Sequence, residues 1–132
     1  MTAFLSLDDV HRILFIRFEG VLTDDVLLLR FQQVREWIAV HGYFSSISDF
    51  SEVASFEVTA HGVKELAASA PLVPDGYLRI VVAPQDEAYG MTRMFEMRGS
   101  ATRDQVHVVR TLAEACQRAG VERLELHPVL EW

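Results

Sequence analysis

Carboxylates and hydroxyls gather in this sequence where short apolar runs give way to helix-like stretches. Asp49 and Ser51 close the run Ser46–Phe50, with Ser55 and Thr59 a few residues on, and Pro84 and Asp86 follow Tyr77–Ala83. Glu19 and Thr23 end an earlier run, and Arg110 and Thr111 a later one. In an open parallel sheet such residues lie outside the carboxyl ends of the strands, beside helix N-termini that favour anions. Together they can hold a small polar ligand or an anion. A hydroxyl such as Ser55 or Thr59 near a helix start can also accept phosphate, which the helix dipole favours. Asp49, Ser51, Ser55, Thr59 and Asp86 are therefore the candidate ligand or phosphate-accepting residues. A plainer reading competes: Thr23, Thr59, Asp86 and Thr111 stand where helix caps belong, each contributing about 1 kcal/mol.

Other chemistry finds little footing. No Gly-x-Ser-x-Gly, P-loop or Gly-x-Gly-x-x-Gly pattern is present. Asp24 and Asp25 are adjacent, so on a helix they point in different directions and make a poor acid–base pair. The five histidines, His11, His41, His61, His107 and His127, lack ligand spacing. Cys116 shares an apolar helix face with Leu112 and Ala115, which marks a buried, inert thiol. No catalytic residue, metal site or cofactor is expected, and the chain does not read as an enzyme. A formal charge of -7 with Lys64 as its one lysine argues against nucleic acid as a partner. No apolar run approaches the roughly 20 residues of a membrane-spanning helix. Residues 1–20 carry Asp8, Asp9, His11, Arg12, Arg17 and Glu19 and no long apolar core, so a cytoplasmic protein is expected.

The elements that would position these residues alternate. Ala3–Leu7 and Arg12–Phe18 suit a hairpin across Asp8-Asp9-Val10-His11. The spacing then predicts helices over roughly Asp24–Val40, Ala60–Ala70, Glu87–Met97 and Leu112–Ala119, with strands Ser46–Phe50, Tyr77–Ala83 and Val106–Val109 between them. Leu27, Phe31, Val34 and Ile38 make one face of the first helix. Ser51–Val58 reads as a loop, Pro71, Pro74 and Asp75-Gly76 as a break and turn, and Gly99–Asp104 as a second loop. Thr111 and Glu114 match a capping box. Strands joined by helical crossovers form a largely parallel sheet. The expectation is one α/β domain over residues 1–120. It has a mixed five-stranded sheet with an N-terminal antiparallel hairpin, the remainder largely parallel, and four helices.

Two segments stand apart from this frame. The third helix is apolar on nearly every side, with Met91, Met94, Phe95 and Arg98 on one face, so it must bury a second face. Tyr89, Met91, Arg93, Met94 and Phe95 are the candidate pocket or interface residues, with Arg93 placed to pair with Glu96 or Asp86. The extension Val121–Trp132 carries an alternating stretch Leu124–His127 that can form a final strand ended by Pro128. Its apolar end, Val129, Leu130 and Trp132, must dock on its own domain or on a neighbouring chain.

Several stretches resemble the small bacterial STAS-like proteins related to anti-sigma-factor antagonists, in the STAS/SEC14-like branch. They are Gly20-Val21-Leu22-Thr23-Asp24-Asp25, Ser48-Asp49-Phe50-Ser51-Glu52-Val53, Val82-Ala83-Pro84-Gln85-Asp86 with Tyr89-Gly90 and Arg93-Met94-Phe95, and Thr111-Leu112-Ala113-Glu114-Ala115. The resemblance covers about residues 3–120. It implies a noncatalytic regulatory or protein-interaction module. In anti-sigma-factor antagonists a serine in an Asp-Ser-Ser-Gly-like motif is phosphorylated. That motif is absent here, and Ser55 and Thr59 are the nearest hydroxyls. Together with the apolar third helix and tail, the resemblance points to a homodimer with a regulatory protein partner. The alternative it implies is a SEC14-like binder of an apolar or lipid-like small molecule, in a pocket lined by Tyr89, Met94 and Phe95.

Overall fold

A computed structural model describes residues 3–69, 72–74, 76–99 and 106–132, the side chains of 98 and 99 excepted. Ala70, Pro71, Asp75, the loop over 100–104 and the Arg98 side chain, all named above, lie outside the described residues. The chain runs β1 (Ala3–Asp8), β2 (Ile13–Thr23), α1 (Asp24–His41), β3 (Ser45–Glu57), α2 (Ala60–Ala68) and β4 (Arg79–Val82). It continues through α3 (Asp86–Gly99), β5 (Val106–Val109), α4 (Leu112–Ala119) and β6 (His127–Glu131). One sheet in the order β5-β4-β3-β2-β1-β6 holds all the strands. β2 to β5 are mutually parallel, and β1 and β6 pair antiparallel at one side.

The strand order dictates where the helices go. From β2 to β5 each crossover advances one strand in the same direction, and crossovers of one hand then stack on one face. Accordingly α1, α2 and α3 bury Phe31, Val34, Val63, Leu66, Ala88 and Phe95 in a single cluster with Leu14, Ile16 and Phe18 of β2. The opposite face packs Ile13, Phe15, Ile47, Ile80, Val82 and Val109 against Ala115 of α4 alone. β2 therefore has apolar residues on both faces over Ile13–Ile16, the signature of a strand covered twice.

The sheet has six strands where five were expected. The sixth is the C-terminal extension, and its strand begins near the proline expected to end it. Pro128 lacks an N–H, yet an edge strand tolerates that because one side needs no donor. β6 pairs with β1 from Leu7↔His127 to Phe4↔Glu131, and Trp132 N donates to Ala3 O at 2.9 Å.

Asp8, fully buried, holds this corner together. Its Oδ1 accepts the His11 amide at 2.9 Å, and its Oδ2 accepts the Glu125 amide at 3.0 Å and lies 2.8 Å from His11 Nδ1. Burial works against the charge, but the Glu125 and His11 amides and the His11 ring hold the carboxyl below its ordinary range. Arg12 completes the turn at φ 57, a left-handed conformation, with its guanidinium 4.3 Å from the centre of the Phe44 ring.

β2 and β3 are both longer than expected. The sequence predicts a loop over Ser51–Val58, but β2 continues alongside Ser51–Glu57, and parallel pairing runs through to Thr23↔Glu57 with two register shifts. Each segment gives the other a ladder, so neither needs to loop. The shared end places the start of α1 against the start of α2. Thr59 donates its amide to Asp24 Oδ1 at 2.8 Å and its hydroxyl to Asp24 Oδ2 at 2.6 Å, and Thr59 Oγ1 accepts the Gly62 amide at 3.2 Å. These two bonds, with a smaller contribution from His61, hold Asp24 below the ordinary carboxylate range against the opposing effect of burial. A Cβ on Gly62 would land on the Asp24 carboxylate.

Gly62→Ala is expected to displace Asp24, and the lost bonds (~1–2 kcal/mol) to outweigh the helical gain over glycine (~1 kcal/mol). In an Asp24→Ala background the same change should be neutral or stabilising by up to ~1 kcal/mol, a sign reversal readable by urea denaturation of the four-member cycle. Both carboxyls titrate lower folded than unfolded. Each thus contributes stability that is complete above the ordinary value of about 4 and is lost as pH falls through the folded value. Asp8→Asn should lower stability at neutral pH by about 1–3 kcal/mol and flatten the acid limb of the urea midpoint; an acid limb as steep as wild type contradicts this role.

Candidate functional site

The carboxyl ends of the parallel strands bring some of the candidate residues together and separate others. Asp49 is buried near the last β4 pairing and accepts both the amide of Ser51, at 2.9 Å, and its hydroxyl, at 2.5 Å. That bond shapes the register shift where β3 passes the end of β4. Ser55 lies inside the β3 extension, not at a helix start, and donates to Glu57 Oε2 at 2.9 Å. Thr59 caps α2 and is engaged with Asp24, apart from Ser51 and Ser55. Thr23 caps α1 and Thr111 caps α4, whose Glu114 also accepts the Thr111 hydroxyl at 3.2 Å.

Asp86 differs from the capping expectation. α3 begins at Asp86 itself, so its carboxylate sits in the first turn, where Oδ1 accepts from Arg110 Nη1 at 2.8 Å. The same guanidinium nitrogen donates to Pro84 O at 3.0 Å, and the group stacks 4.0 Å from the centre of the Tyr89 ring. Arg110 of β5's end thereby fastens to the β4–α3 corner. Arg93 instead lies 3.3 Å from Glu96.

Gln85, which the sequence does not single out, does more here than any of the candidates. Its Nε2 donates to Phe50 O at 3.1 Å and Val53 O at 3.3 Å, stitching the β4–α3 corner to the β3 extension. Its Oε1 is buried without a hydrogen-bond partner among the described residues. Beside it a depression of about 380 Å³ runs along Val53, Ala54, Ser55 and Phe56 to Asp86 and Glu87. Ser55 and Asp86 thus do share one surface, with Gln85 between the elements that carry them. Besides its place in the stretch Val82–Asp86, the sequence signal for Gln85 is its position immediately before a helix of acidic first turn.

The third helix is buried on one side only. Ala88, Thr92 and Phe95 are buried, Met91 and Met94 half-buried, and Glu87, Gly90, Arg93 and Met97 are on the exposed side. The expected second buried face is therefore polar in part. Met91 and Phe95 line a space between α1, α2 and α3 with Phe31, Phe50 and Phe56, but its volume is only about 40 Å³. Tyr89 and Met94 are not among its lining residues. Arg79 borders it too, buried and within 5.8 Å and 5.6 Å of the Phe31 and Phe95 ring centres.

A larger feature lies on the other face. α4 packs over β4 and β5, and beyond it a trough of about 310 Å³ runs along β1, the Phe15–Glu19 part of β2, and β6. Phe4 and Phe15 contribute to it, and three exposed leucines, Leu112, Leu126 and Leu130, converge on it. Arg17 and Glu19 of β2 add one charge of each sign. Alternation in β1 and β2 was the available signal: Phe4, Phe15, Arg17 and Glu19 fall on one face of the hairpin. Among the described residues no group of three potential metal-ligating side chains occurs, and no helix is long and apolar enough to cross a membrane. No family model, curated protein or solved structure was found to match the chain.

Gln85→Leu removes both donors and leaves the Phe50 and Val53 carbonyls to find water. It should cost about 1–3 kcal/mol in urea denaturation, whereas Ser55→Ala, at a half-buried strand position, should stay within about 0.5 kcal/mol.

Proposed function

We propose that the chain is a noncatalytic, STAS-like regulatory or protein-interaction module that works in the bacterial cytoplasm as a homodimer, its copies meeting across the α4-side trough. The observation that carries this reading is the convergence of Leu112, Leu126 and Leu130 on a sheet face that α4 leaves uncovered. Apolar side chains held open beside one another on a rigid sheet mark an interaction surface. A second copy is the fitting occupant because the charge pattern is self-complementary. Arg17 and Glu19 lie two positions apart on one strand face, so a two-fold axis between them sets Arg17 of one copy opposite Glu19 of the other. The regulatory part of the reading rests on the STAS-like stretches, of which Gly20–Asp25 forms the β2 extension and the α1 cap.

The competing reading, a binder of apolar or lipid-like small molecules between the third helix and its neighbours, needs room. The space there is about 40 Å³, against roughly 300 Å³ for the smallest usual ligand pockets. This weighs for the interaction reading.

Sedimentation velocity is expected to give twice the chain mass. Arg17→Glu and Glu19→Arg should each weaken association about tenfold or more (about 1.4 kcal/mol), and the double exchange should restore it. Leu130→Asp should yield monomer with an unchanged unfolding midpoint. A wild-type protein that stays monomeric at high concentration overturns the dimer.

A further inference from the structure

We infer that the free edge of β3 over Val53–Glu57 takes up an extended, lysine- or arginine-bearing peptide as an added strand. This deepens the interaction reading above by naming a class of partner, and its surface shares no lining residue with the trough.

The edge arises from unequal strand lengths. β4 pairs with β3 only over Ser46–Asp49, while β2 pairs with it through Glu57. Beyond Asp49, then, β3 has a strand neighbour on one side alone among the described residues. The first part of this edge is closed by the Gln85 amide on Phe50 O and Val53 O. The rest opens onto the depression of about 380 Å³ that runs beside Val53, Ala54, Ser55 and Phe56. An extended peptide recognises such an edge through main-chain hydrogen bonds, with side-chain contacts at alternate positions.

The other edges of the sheet carry blunting devices that this one lacks. β6 carries Pro128, which cannot donate to a neighbour, and β5 is four residues long. Both are familiar ways of blunting an edge. Val53–Glu57 has no proline and no lysine. At the closed end Gln85 holds the Phe50 and Val53 carbonyls through Nε2, which leaves the edge beyond Val53 for a partner.

Charge selects the peptide. Asp86 and Glu87 border the depression, Glu52 and Glu57 flank the strand, and all four are exposed. The cation at this corner, Arg110, already serves Asp86 and Pro84 O. The surface is acidic, and basic side chains on alternate positions of an added strand complement it. Phe56, half-buried beside them, gives an intervening apolar side chain a place to rest.

A library of heptapeptides with lysine at two alternate positions and the others randomised tests this against the full chain. Selected peptides should be rich in β-branched residues and arginine, poor in proline, aspartate and glutamate, and should bind with a Kd below about 100 μM by fluorescence anisotropy. Methylating alternate backbone nitrogens of a selected peptide should weaken it tenfold or more at unchanged charge. Glu87→Lys should weaken it at least threefold, and binding should slow hydrogen exchange at Val53–Glu57. A library that yields no binder, binding indifferent to N-methylation, or protection confined to the trough each overturns the assignment. The chain mass and its Arg17/Glu19 exchange report separately on the interaction reading, so the two can fail independently.

Discussion

The parallel pairing of β2 with β3 over nearly their whole lengths is the contact on which the rest of the molecule depends. It brings Thr23-Asp24 beside Thr59, so that the beginning of one helix supplies the anchoring carboxylate of the next. It carries β3 past the end of β4 and so creates the ledge that Gln85 braces. It also sets the direction of travel: having stepped from β2 to β3, the chain keeps stepping the same way to β5, and three helices accumulate on one side.

That accumulation explains why the two faces differ so much. A chain that ends its parallel run at one margin of the sheet and finishes its last strand at the other must cross back. It does so through α4 and residues 120–126 over the otherwise bare face. One short helix cannot cover six strands. The half it misses holds the trough, with Leu112, Leu126 and Leu130 along it.

Much of this was legible from residue patterns, and the failures have physical causes. Helices α1 and α4 follow their apolar spacing and caps closely, because Thr23, Gly42, Thr111 and Gly120 act locally. The parallel core is legible for the same reason, since apolar runs alternate with capped helices. The β3 extension was not, because Ser51-Glu52-Val53-Ala54-Ser55 has a weak strand signature of its own. Its extended form comes from Glu19–Thr23, which lies more than thirty positions earlier in sequence. β6 was misplaced because Pro128 reads as a terminator until one knows it lies at an edge. The site was less legible still. Thr59 could be placed as a cap but not as Asp24's partner, and Gln85 carries no local sign that its amide bridges two distant carbonyls.

The corner built on Asp8 bears on how the protein is made. Its carboxylate accepts an amide 117 positions further on, and β1 gains its second neighbour from β6, more than a hundred positions later. On a ribosome, β1 and β2 can form their hairpin early, yet the outer side of β1 waits with its amides and carbonyls bare until β6 leaves the exit tunnel. Until then the nascent chain carries an adhesive flank that only β6 covers.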